Sequence, residues 1–70
     1  MRVIVRVREH PDAYRTRVEA LGGHVLRTLR LVPALVVDAP KATVERLRKE
    51  PWVVRVEPDE EVSAQDNPSI

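Results

Sequence analysis

Val25-Leu26-Arg27-Thr28-Leu29-Arg30-Leu31-Val32-Pro33-Ala34-Leu35-Val36-Val37-Asp38 is the stretch on which the fold turns. Val25, Leu29 and Leu31 recur in phase, as one face of a strand requires. Arg27 falls on the same parity and Leu26 on the other, so a bulge or an exposed apolar face is implied. Pro33 has no N–H to give to a ladder, which makes Val32-Pro33 a connection, and Ala34 to Asp38 resumes as the next strand. Two strands joined this tightly form a hairpin.

Gly22-Gly23, just before the hairpin, reads as the left-handed C-terminal cap of a helix. That helix opens at Pro11, whose missing N–H suits a first helical position. Tyr14, Val18 and Leu21 follow at i, i+4 and i+7, with Arg15, Arg17 and Glu19 outside. Further upstream Val3, Val5 and Val7 alternate with Ile4, Arg6 and Arg8, the pattern of a half-buried strand. Downstream of the hairpin, Pro40 and Pro51 bracket a second helix with Val44 and Leu47 on its apolar side and Glu45 and Lys49 spaced for an i, i+4 ion pair. Val53 to Glu57 is the last strand, with Val54 and Val56 on one face and Val53, Arg55 and Glu57 on the other, and Pro58 closes it. The order β-α-β-β-α-β folds as an α+β, ferredoxin-like unit: a four-stranded antiparallel sheet with both helices on one face. The other face has nothing in the chain to cover it, so function is sought there.

Seventy residues allow one small core and no deep enclosed active site, which excludes a large standalone enzyme. With no Cys and only His10 and His24, disulfide, thiolate-metal and Cys-nucleophile chemistry fall away. Twelve Lys+Arg against 11 Asp+Glu leave a charge of +1, with Glu interleaved throughout, so no nucleic-acid partner is expected. No apolar run is long enough for a membrane span, and Met1 to Arg6 alternates charge where a signal peptide would be continuously apolar. No membrane partner is therefore expected, and the expected compartment is the cytoplasm as the chain is written.

His10 and His24 read as solvent-facing loop residues, and Ser63 and Thr28 have no His at a readable spacing. RNA-recognition domains share this element order but stack bases on sheet aromatics. Here Tyr14 falls on a helix and Trp52 at a helix-strand junction, where it plugs the edge of the core. No cofactor is expected. Residues 1–58 read as the folded body and 59–70 as an extended tail that begins with the acidic run Asp59-Glu60-Glu61.

Gly22-Gly23-His24-Val25, Leu47-Arg48-Lys49-Glu50-Pro51 and Val53-Val54-Arg55-Val56-Glu57-Pro58-Asp59 together resemble the propeptides of subtilisin-like serine proteases and the free-standing inhibitors related to them. The resemblance covers about Val3 to Gln65. It implies the ferredoxin-like fold and a role in binding, not catalysis. Such domains dock the open sheet face on two parallel helices of the protease and lay the tail through its active-site cleft as a poor substrate.

By motif position, Glu57 and Asp59 match the acids that cap the protease helices, and Ile4 and Val53, on the outward parity, would supply apolar contact. Glu60 and Glu61 lead into the tail. Registering on Glu57 puts Val62 in the fourth subsite before the scissile position, Ser63 in the third, Ala64 in the second and Gln65 in the first. The resemblance therefore implies a stoichiometric inhibitor, a monomer when free, with chaperone activity toward the protease as a second expectation. Met1 and the extension Asp66 to Ile70 favour a self-contained inhibitor over an excised propeptide, which would be secreted. The competing reading is a regulatory or dimerisation domain that binds a small ligand, or its own copy, through the same face.

Overall fold

In the computed structural model, which describes residues 1–59, the chain forms β1 (Arg2–Val7), a 3-10 turn (Pro11–Tyr14), α1 (Arg15–Ala20), β2 (His24–Leu29), β3 (Ala34–Asp38), α2 (Lys41–Arg48) and β4 (Val53–Pro58). The strands make one antiparallel sheet in the order β2-β3-β1-β4, the α+β ferredoxin-like arrangement expected from the sequence. Alternation carries the core. Val3, Val5 and Val7 of β1, Val25 of β2, Leu35 and Val37 of β3 and Val56 of β4 share one side of the sheet. Val18 of α1 and Val44 and Leu47 of α2 close over them. Burying Leu35 or Leu47 completely contributes about 1.5–3 kcal/mol each.

The first helix is in two pieces. His10 takes a left-handed φ of 55°, the Pro11 turn winds as 3-10, and only then does α1 begin. α1 ends as the glycine pair predicts. Gly22, at φ 102°, donates its N–H to the Glu19 carbonyl at 3.0 Å, and Gly23 donates to the Val18 carbonyl at 3.0 Å, the two bonds of a Schellman cap. The Thr43 hydroxyl of α2 donates to the Leu21 carbonyl at 3.0 Å, which ties the second helix to the end of the first. The Glu45–Lys49 pair does not form; among the described residues the i, i+4 pair is Arg15–Glu19 at 3.8 Å, on α1.

β2 and β4 are the two edges of the sheet, and each carries a bulge. In β2, Val25 pairs with Val37 and Arg27 with Val36, leaving Leu26 as the extra residue. Beyond it the parity inverts: Thr28 pairs with the core residue Leu35, and Leu29 with Ala34 on the opposite face. The expected in-phase set is corrected accordingly. Val25 alone joins the core, Leu29 lies on the open face, and Leu31 is fully exposed in the turn after the strand ends.

In β4, Val56 pairs with Val5 and Arg55 with Arg6, but Val7 pairs with Val53, so Val54 is extra. Val53 therefore packs against the core and Val54 is 56% exposed, the reverse of the expected assignment. Val53 is not an outward apolar contact. Bulged edges are poor templates for pairing with another chain's edge strand.

Candidate functional site

The face of the sheet that no helix among the described residues covers is built in rows. Arg27, Val36, Ile4 and Glu57 lie side by side across β2, β3, β1 and β4, and Leu29, Ala34, Arg6 and Arg55 form the next row. His24, Asp38 and Arg2 form a third, at the end where β1 begins. The middle is apolar and closely filled: Ala34 is 0% and Val36 5% exposed although no helix of the described residues lies over them. Longer side chains flank them in the neighbouring strands, and Ile4 and Leu29 are half-buried. The outcome is a narrow apolar strip bordered by arginines.

Glu57 sits at the β4 edge of this face, paired with Ile4 as alternation predicts. Its carboxylate is shared. Arg55 Nε lies 2.7 Å from Oε2, and Arg6 Nη1 donates to Oε2 at 3.4 Å and to Oε1 at 3.5 Å. All three side chains are part-exposed, so each pair contributes about 0.2–1 kcal/mol. Asp59, half-buried, donates its backbone N–H to the Arg2 carbonyl at 3.2 Å, which keeps the chain alongside β1 for one residue past β4. Glu60, Glu61, Val62, Ser63, Ala64 and Gln65, also expected at the site, lie outside the described residues.

The other candidates are dispersed. His10 is exposed beyond the far end of β1 and His24 opens β2 at the opposite end of the sheet, so the two histidines do not form a pair. His10 borders a surface groove of about 360 Å³, next to Asp12, whose carboxylate accepts from Thr28 at 2.9 Å and Arg30 at 3.2 Å. Among the described residues no three His, Asp or Glu stand close enough to hold a metal ion, and no helix is long and apolar enough to cross a membrane.

Tyr14 and Trp52 stack on each other at 4.8 Å and 3°, against the core on the helix side, and Trp52 Nε1 donates to Glu50 at 3.0 Å. Neither ring is on the open face, so a base-stacking sheet has no aromatic among the described residues. The residues that sequence reasoning left out are Arg6, Arg27 and Arg55. Arg6 shared a parity with Ile4, and Arg55 with Glu57, which was the available signal.

A comparison with protein families matches residues 1–59, from β1 to the residue after β4, to the family described as "Putative peptidase inhibitor domain". The matched residues include every element that builds the open face and the Glu57 cluster, and they make up most of the 70-residue chain. The chain therefore belongs to this family of peptidase inhibitor domains.

Proposed function

We propose that the chain is a stoichiometric inhibitor of subtilisin-like serine proteases, acting by binding and not by catalysis. The body, residues 1–58, docks its open sheet face on a pair of protease surface helices, and the tail, 59–70, enters the active-site cleft. The observation that carries the reading is the position of Glu57: on the open face, at the exit of the last strand, level with Ile4. A carboxylate there meets the unsatisfied N–H groups and positive end of a helix, and so does that of Asp59; each contact contributes about 0.3–2 kcal/mol. Ile4 and the strip beside it supply apolar contact. Val53 is withdrawn from the docking set because it packs inward.

Beyond Asp59, Glu60 and Glu61 lead the tail to the cleft edge. Val62, Ser63, Ala64 and Gln65 add a strand there, main-chain hydrogen bonds giving affinity and alternate side chains specificity. A small residue at the second subsite and an apolar one at the fourth fit such a cleft. Holding the two protease helices together also assists folding of the enzyme in trans.

Titrating a subtilisin-like protease with the purified chain tests this. Peptidase activity is expected to fall linearly to an equivalence point of one chain per enzyme; full activity at micromolar excess would overturn it. Light scattering of the free chain separates it from the competing reading, since a tight dimer through the sheet would leave no docking face.

A further inference from the structure

We infer that the partner surface carries carboxylates beside the helix end that Glu57 meets, and that Arg6 and Arg55 select it by pairing with them, with Arg27, at the opposite edge of the face, adding to its positive field. The inference rests on the docking proposed above and names the chemistry of the surface that is docked.

It follows from charge. The rows of the open face hold Arg2, Arg6, Arg27 and Arg55 against Asp38 and Glu57. Glu57 is shared between Arg6 and Arg55, so two guanidinium groups and one carboxylate leave that cluster at +1. Arg27 is exposed and has no ion pair among the described residues. A helix N-terminus carries about half a positive charge. Pressing a cluster of net positive charge against it is repulsive. That penalty is lifted if the partner draws the guanidinium groups of Arg6 and Arg55 away.

Carboxylates in the first turn of the docked helix are the groups placed to do so, because that is where a helix favours Asp and Glu and where side chains flanking Glu57 would reach. Docking is then an exchange. Glu57 leaves Arg6 and Arg55 for backbone N–H donors, and the two arginines, whose planar forks suit carboxylates, pass to the partner with no ion pair lost. A protease with neutral or basic residues at those positions is rejected by the same arginines.

The test uses the intact chain, its Arg6→Gln/Arg27→Gln/Arg55→Gln variant, a subtilisin-like protease with acidic first turns on its docking helices, and that protease with those acids changed to amides. Inhibition constants are measured at ~50 mM and ~500 mM salt, where charge screening differs several-fold. At low salt the triple variant is expected to inhibit the acidic protease about tenfold or more weakly, with the difference shrinking at high salt. The neutralised protease should show the same loss with the unaltered chain, and little further loss with the variant. Equal or tighter inhibition by the variant would overturn the inference, and so would a loss of the same size on both proteases. Failure of the unaltered chain to inhibit either enzyme would overturn the docking reading itself. Circular dichroism checks folding, and the single Arg55→Gln variant reads the same coupling if the triple variant is unfolded.

Discussion

Gly23 has no room for a methyl group: a Cβ there would lie 2.8 Å from Val18 Cγ1 and 2.9 Å from Val37 Cγ1, where α1 meets β3. Gly23→Ala is therefore expected to destabilise the fold by about 1–3 kcal/mol, read as a lower thermal midpoint. Thr43→Val, which removes the hydroxyl that satisfies the Leu21 carbonyl, should cost about 1 kcal/mol in the same measurement. The cap role of the glycine pair was legible because glycine takes the positive φ of Gly22 without steric penalty, whereas the close approach at Gly23 was not. The surroundings of Glu57 were not. That it faces away from the core follows from alternation, but its sharing between Arg55 on the same strand and Arg6 on the neighbouring one depends on cross-strand register. Register is set by tertiary pairing and has no mark in a single segment.

β4 gives the clearest contrast between elements that can and cannot be read. Strict alternation puts Val54 inside and Val53 outside, whereas the bulge does the opposite. Two adjacent valines carry no parity information, so nothing in Val53-Val54 records the slip. In β2 the polar Arg27 broke the phase and announced the irregularity. Substitution separates the two registers of β4. Val53→Asp should destabilise by more than about 2 kcal/mol and Val54→Asp by less than about 0.5 kcal/mol, measured by denaturant unfolding; equal effects would contradict the bulge. The hairpin and both helices were legible because proline and glycine punctuate them at Pro11, Gly22, Pro33, Pro40 and Pro51. The 3-10 winding before α1 was not, since a first-turn proline opens either kind of helix and only Tyr14 of the apolar stripe falls within those four residues.

At the largest scale, the fold follows from element order, and its consequence is a sheet that the described residues cover with helices on one side only. The family match ends at Asp59, so the matched domain and the expected tail can be tested apart. Residues 1–59 alone are expected to keep the thermal midpoint of the full chain within a few degrees while losing inhibition of a subtilisin-like protease. Retained inhibition would mean that the tail does not occupy the cleft.

The central claim is that two carboxylates at the exit of β4 seat the open face on helix ends of the enzyme. Inhibition titration with the Glu57→Gln/Asp59→Asn variant beside the unaltered chain tests it most directly. About a tenfold to hundredfold weaker inhibition constant is expected, with a melting midpoint lowered only by the several degrees that loss of the Glu57 ion pairs costs, and an unchanged inhibition constant would contradict it.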